Sequence, residues 1–357
     1  MTEFSWNDFL PPSFVGSITD LRVDDPERVR TAAQKRRRRS RLAPDGRLNL
    51  LAADHPGRRV TSIGNDPLRM AHRAELLARI VRTLMSDHLD GVMATTDVLE
   101  ELLLLHDLSR ESGGPAFLDD KLLLASLNRG GLASTAWEID DPLTGPGPAA
   151  CHALGLDGVK ILLRVCDTEA GSLSTLLASA RAITEFNAAG LPTFLEPLPV
   201  IKTDTGYKVI KTPEALARLV GVAAALGDSS RLLWLKLPYC EDYEAVARAT
   251  TLPILLLGGE SAGDPSPFLT ELGKGLAAGP NVRGTLVGRN VLYPGADDPL
   301  AVAEAAGGII HRGWTLEQAL SSLAVNRGRD LNWLTATTTE TVRERLPEPT
   351  TPSRSRC

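Results

Sequence analysis

Cysteine is scarce in this chain of 357 residues: the four, Cys151, Cys166, Cys240 and Cys357, lie far apart and share no CxxC or metal-ligand spacing with the six histidines. A disulfide framework is therefore not the organising principle, and a reducing compartment is expected. Long apolar runs are missing as well. No segment approaches the roughly 18 apolar residues of a membrane span, and no apolar run follows a basic start, so a cytoplasmic protein is expected rather than an inserted or secreted one. Charge of one sign is not in excess either. A formal net charge of -5 offers no general attraction to nucleic acid or an anionic membrane, which leaves small molecules as the default partners. No His/Cys/Asp cluster encodes a metal, and neither metal nor cofactor is expected.

What is present is enough for a large core. Hydrophobic residues make up 43% and charged residues 23%, ordinary values for a globular protein, and the length suits a single α/β barrel with extensions as well as two average domains. Residues 1–45 differ in composition from the rest of the chain: Pro11 and Pro12 sit in a mixed stretch, and Asp25-Pro26 opens a helix expected to end in the basic run Lys35 to Arg39. That run reads as a solvated helix face or an oligomer contact in preference to a nucleic-acid patch, and a homo-oligomer is the expected assembly. Residues 336–357, rich in Pro, Thr, Ser and Arg, read as a disordered tail.

Between these ends, over 46–335, short apolar runs alternate with longer amphipathic stretches. Eight strand candidates emerge: Leu48 to Asp54, Gly91 to Thr95, Leu122 to Leu127, Val159 to Val165, Thr193 to Leu198, Leu232 to Leu237, Ile254 to Leu257 and Thr285 to Gly288. They are apolar throughout, as parallel strands buried on both faces should be, with helical patterns between them. A doubly wound open sheet would alternate in the same way. The count of eight and the placement of charge favour a closed (β/α)8 TIM barrel with an N-terminal helical extension.

Four of these runs carry an ionisable residue deep among apolar neighbours: Asp54, Lys160, Glu196 and Lys236. Unpaired buried charge is costly, so these groups should face one another or a polar ligand. Asp54, Glu196 and Lys236 fall at strand C-termini, where barrel active sites are built, and Lys160 must reach up to them from lower in its strand. An inert ion-pair network is the plain alternative. A desolvated lysine beside a second ammonium loses its proton readily and becomes a nucleophile towards a carbonyl; Lys236, at a strand end, is the better nucleophile and Lys160 the better partner.

The last two strands run into Gly258-Gly259-Glu260-Ser261-Ala262-Gly263 and Gly288-Arg289-Asn290. Loops after these two strands are where barrels commonly hold phosphate, so Gly258, Gly259, Gly288 and Arg289 form a candidate cradle. Asn128-Arg129-Gly130-Gly131 and Thr95-Thr96-Asp97 also reach the mouth, where they either bind substrate or merely turn and cap. His55 is an acid/base or a capping histidine, and Tyr239 offers a hydroxyl beside Lys236.

The motifs AADHPGR (52–58), GVKILLRV (158–165), FLEPL (194–198) and LWLKLPY (233–239), with LLLGGESAG (255–263) and GTLVGRNVL (284–292), resemble the class I, Schiff-base aldolases of the tagatose-bisphosphate, archaeal fructose-bisphosphate and deoxyribose-phosphate group. The resemblance spans about 46–310. It implies that Asp54, Lys160, Glu196 and Lys236 are catalytic, that Lys236 forms the Schiff base, and that a phosphorylated keto-sugar or keto-sugar acid is cleaved. Likeness to barrels associated with inositol catabolism points to 5-dehydro-2-deoxygluconate 6-phosphate. The loop from Trp137 to Pro148 departs from the sugar-bisphosphate enzymes. Two other activities fit the same residues: a phosphosugar isomerase or epimerase, and a non-catalytic sugar-phosphate sensor.

Overall fold

The computed structural model describes residues 4–10, 13–204, 206–261 and 263–326. The tail expected over 336–357 lies outside them. Among the described residues nine strands form, β1 (Leu48–Ala52), β2 (Gly91–Ala94), β3 (Leu122–Ser126), β4 (Gly158–Val165), β5 (Thr193–Thr203), β6 (Gly206–Val209), β7 (Leu233–Pro238), β8 (Ile254–Leu257) and β9 (Val282–Val287). Eight are parallel and close on themselves in the order β1-β2-β3-β4-β5-β7-β8-β9, β9 pairing back onto β1. The protein is a (β/α)8 TIM barrel. The ninth strand, β6, is an antiparallel partner to the far end of β5, and the pair stands out from the barrel mouth. The fifth strand expected from sequence ends at Leu198. Pro197 and Pro199 hide the remainder, because prolines lack the N–H that a continuing ladder uses.

Side chains of each strand still alternate, although both faces are apolar. Leu48, Leu50 and Ala52 point inward with Met93, Leu122, Leu124, Phe194, Leu255 and Leu286 and fill the barrel's lower interior. Leu51 and Ala53 point outward into the layer shared with the helices. Parity then decides the chemistry. Phe194 faces in, so Glu196 does too, and the same period of two brings Lys160 and Lys236 inside. Among the described residues, no helix is long and apolar enough to cross a membrane.

The N-terminal extension folds as the helices Trp6–Phe9, Ser13–Asp24 and Arg28–Lys35, which pack on the barrel helices Arg73–Leu84 and Thr96–Glu111 through Phe9, Phe14, Ile18, Val29 and Ala32. The last of the three ends at Lys35, before the arginines. The basic run is neither a free helix face nor an open patch. Arg36 is buried and donates to the carbonyls of Lys121 (2.7 Å) and Gly155 (2.8 Å). Arg37 pairs with Asp120 (2.6 Å), Arg38 with Asp157 (2.7 Å) and Arg39 with Asp90 (2.9 Å). Asp90, Lys121 and Asp157 immediately precede β2, β3 and β4, so four consecutive arginines fasten the extension across the N-terminal end of the barrel, opposite the mouth. The sequence showed the charge but not the carboxylates that meet it, because those are 51 to 121 residues away.

Arg36→Ala should lower stability by about 3 kcal/mol, since it strands buried carbonyls and a carboxylate together. Arg37→Ala, at the exposed pair, should change little. Urea denaturation of the two variants tests the contrast; equal small effects would mean the clamp does not hold the barrel's lower end.

Candidate active site

Inward parity and register place three strands side by side with their ionisable residues converging. β5 lies between β4 and β7; Glu196 is level with Leu162 of β4, and Leu195 is paired with Leu235, the residue before Lys236. Lys160 sits two residues lower, level with Phe194. The long lysine stem makes up that difference. Lys160 Nζ reaches Glu196 Oε2 at 2.6 Å and Lys236 Nζ reaches the same oxygen at 3.1 Å, so one carboxylate oxygen is shared by two amines.

Asp54, two residues beyond β1, completes the group. Its Oδ2 accepts from Ser126 Oγ (2.7 Å), pairs with Arg129 and stands 3.7 Å from Lys160 Nζ. Asp54, Lys160, Glu196 and Lys236 are all buried. Burial pushes both lysines below the ordinary ammonium range, against the pull of Glu196, and Lys160 is pushed well below it. Behind burial, the cations weighing on Lys236 are Arg129 and Arg289; those weighing on Lys160 are Arg129 and Lys236. The expected roles were simpler, with Lys160 as the depressing neighbour. Burial would raise Glu196, but the two lysines outweigh it and hold its carboxyl far below the usual range.

These groups open onto a cavity of about 660 Å³ at the C-terminal ends of the strands. Its wall carries Arg58, Arg129, Lys160, Arg164, Lys208, Lys211, Lys236 and Arg289 against Asp54, Glu138, Glu196 and Glu260, eight cationic side chains against four carboxylates. In a chain of net charge -5, that local surplus selects for anionic ligands.

The glycine loops after β8 and β9 meet on one side of the cavity. Gly259 has φ +68°, which a side chain would strain, and the Lys211 amine lies beside it. Gly288 packs so closely that a Cβ would stand 2.5 Å from the Ala52 carbonyl oxygen and 2.6 Å from the His55 ring. Asn290 ties the two loops by donating to the Gly258 carbonyl. Arg289 begins a short helix and faces Glu260 at 3.6 Å, with its buried Nε–H lacking an acceptor.

Several cavity residues carry little or no signal in the sequence. Lys211 belongs to the loop after the unforeseen hairpin, and Arg129 reads equally as a binding residue or a turn until its partner is seen. His55 lines the cavity rather than the surface, kept neutral by burial and by Arg289, Lys236 and Lys160. Tyr239 bonds outward to Glu241 (3.5 Å) and is not part of the cavity wall.

A sequence model described as Cgl0159-like matches residues 46–307. The chain belongs to the Cgl0159-like family. It is similar to Cgl0159 of Corynebacterium glutamicum, whose crystal structure is 35% identical, covers 85% of this chain and 99% of that one, and superposes with a TM-score of 0.79. Among curated proteins, 2-amino-3,7-dideoxy-D-threo-hept-6-ulosonate synthase 1 of Archaeoglobus fulgidus is 26% identical over 288 residues, 80% of this chain and 94% of that protein. An archaeal fructose 1,6-bisphosphate aldolase, 20% identical over 80% of this chain and all of its own, shares the barrel with a TM-score of 0.54. The aldolase resemblance carried by the motifs thus reappears as a shared fold, and these relatives are consistent with the aldolase-type group without singling out one of its three branches.

Gly288→Ala should force apart β1 and the loop after β9, lowering stability by about 1–3 kcal/mol as overpacking does. It should also weaken inorganic phosphate binding by calorimetry. A variant as stable and as avid as the parent would show that the close approach at Gly288 is incidental.

Proposed function

We propose that the protein is a class I aldolase that cleaves a phosphorylated keto-sugar or keto-sugar acid through a Schiff base on Lys236. The observation that carries the reading is the shared oxygen of Glu196: two buried amines compete for one carboxylate, so at least one loses its proton easily. Lys236 is the attacker because it is the more exposed of the two, whereas Lys160 springs from lower in the barrel, level with Phe194. The names of the similar synthase and aldolase are consistent with this chemistry.

In this mechanism the neutral amine of Lys236 adds to the substrate ketone, and loss of water leaves an iminium. The bond between the carbons α and β to it then breaks, its electron pair moving into the iminium to give an enamine, as the β-hydroxyl gives up its proton and an aldehyde departs. A carboxylate held as low as Glu196 is a weak base. The proton therefore passes to Lys160, with Glu196 orienting both amines. Protonation of the enamine and addition of water release the second product and restore the amine. The phosphate rests on Gly258, Gly259, Gly288 and Arg289. Within this class, 5-dehydro-2-deoxygluconate 6-phosphate is the proposed substrate.

Borohydride reduces an iminium irreversibly, so incubation with dihydroxyacetone phosphate should leave a mass adduct on the peptide bearing Lys236, and Lys236→Ala should lose both adduct and turnover. An isomerase, an epimerase or a sensor predicts no adduct; an adduct on Lys160 would exchange the two roles. Arg289→Ala should weaken phosphosubstrate binding by roughly 1.5–3 kcal/mol, as loss of a hydrogen bond to a charged group does. Equal affinity for phosphorylated and unphosphorylated sugars would remove the cradle.

A further inference from the structure

The phosphate cradle uses only one side of the cavity. In the barrel order, β3 and β4 stand diametrically across from β8 and β9, and that opposite wall has its own arginines. Arg129 follows β3 with its side chain 10% exposed and Arg164 lies buried on β4, with Arg58 beside them. We infer that Arg129 and Arg164, assisted by Arg58, form a carboxylate subsite, so that the substrate carries an acid group at the end remote from its phosphate, with the reacting carbonyl over Lys236 between the two. This rests on the reading of the cavity as an aldolase site for a phosphorylated keto acid and names the residues that hold the acid group.

Two donors on this wall are unmet. The Nε–H groups of Arg129 and Arg164 are buried and have no acceptor. A buried donor left unpaired is costly, and native sites rarely keep one without a ligand or water to meet it. The guanidinium groups are also held in place. Arg164 donates to Glu138 Oε1 (2.5 Å) and to the Gly131 carbonyl (3.2 Å), with Asp141 behind it at 3.9 Å; Arg58 shares Glu138 Oε1 at 3.3 Å; Arg129 is fixed by Asp54. Glu138 and Asp141 come from the loop of Trp137 to Pro148, the segment where this sequence departs from the sugar-bisphosphate enzymes. That departure has a use: it supplies the carboxylates that aim Arg164.

The type of anion is set by what the wall lacks. The backbone amides of Arg129 and Gly131 are already engaged, with Thr144 Oγ1 (2.9 Å) and Asp141 Oδ1 (2.8 Å), and are not free to join an amide nest of the kind that suits a phosphate. Glu138, Asp141 and Asp54 also balance the three arginines in number, so the wall offers directed N–H groups rather than the net positive charge that a phosphate dianion needs. What remains are the Nε–H groups of Arg129 and Arg164, each able to give one charge-assisted bond to a carboxylate oxygen.

The test uses matched six-carbon chains, 6-phosphogluconate and sorbitol 6-phosphate, which differ in a carboxylate against a hydroxymethyl at the end away from the phosphate. By calorimetry, 6-phosphogluconate should bind at least about tenfold more tightly, roughly the worth of one charged hydrogen bond. The preference should shrink in Arg58→Met and vanish in Arg164→Met made together with Glu138→Gln, which removes the carboxylate that the lost guanidinium bonds. Arg289→Ala should weaken both ligands and preserve their ratio. Equal affinity for the two compounds in the parent protein would overturn the subsite, and tighter binding of mannitol 1,6-bisphosphate than of 6-phosphogluconate would overturn its assignment to a carboxylate. Borohydride trapping with dihydroxyacetone phosphate, which has no such acid, separates the two claims: an adduct without a carboxylate preference sinks the subsite alone, and a preference without an adduct sinks the Schiff base alone.

Discussion

One carboxylate oxygen bridging two buried amines is the constraint on which the rest of this barrel turns. Three ionisable side chains inside an apolar cylinder would be prohibitively costly if each had to be satisfied alone. Glu196 satisfies both lysines at once, and the result is a network whose proton is easily displaced from either nitrogen. That arrangement demands a level β5 and β7, a longer reach from β4, and a lower interior packed with leucine, methionine and phenylalanine so that water approaches only from the mouth. The fold therefore delivers the reactivity by register, and a slip of one residue in any of the three strands would turn its charge into the outer layer.

The two ends of the barrel handle arginine in opposite ways. At the lower end, Arg36 to Arg39 meet carbonyls and aspartates that precede β2, β3 and β4, and the Nε–H of Arg36 is the one buried donor among them left over. At the mouth, the Nε–H groups of Arg129, Arg164 and Arg289 all remain unmet beneath the surface. The same residue type fastens structure at one end, where its donors are largely saturated, and lines the cavity at the other, where several are unmet.

Much of this was legible in the sequence because it depends on short-range pattern. Eight apolar runs correspond to the eight barrel strands, and the parity of Asp54, Lys160, Glu196 and Lys236 within them places those residues in one interior. What was not legible depends on distant partners. The basic run reads as exposed because its acidic mates lie beyond it in the chain, next to β2, β3 and β4, and Arg129 is indistinguishable from a turn residue until Asp54 is seen against it. The β5–β6 hairpin escapes because two prolines mask an extended strand, and Lys211 escapes with it. The family match on 46–307 covers the part of the chain where short-range pattern is informative.

Burial holds Lys160 and Lys236 below the ordinary lysine range, and Glu196 keeps either from falling as far as burial alone would drive it. Titrating the two amines by NMR, in protein carrying labelled lysine side chains and assigned by substitution of each in turn, addresses this directly. The account predicts that both amines titrate below 10.5 in the parent, Lys160 lower than Lys236, and that Glu196→Gln moves both lower still, because the carboxylate is the group that favours their protonated forms. Two lysines titrating near 10.5, or amines that do not respond to the loss of Glu196, would contradict it.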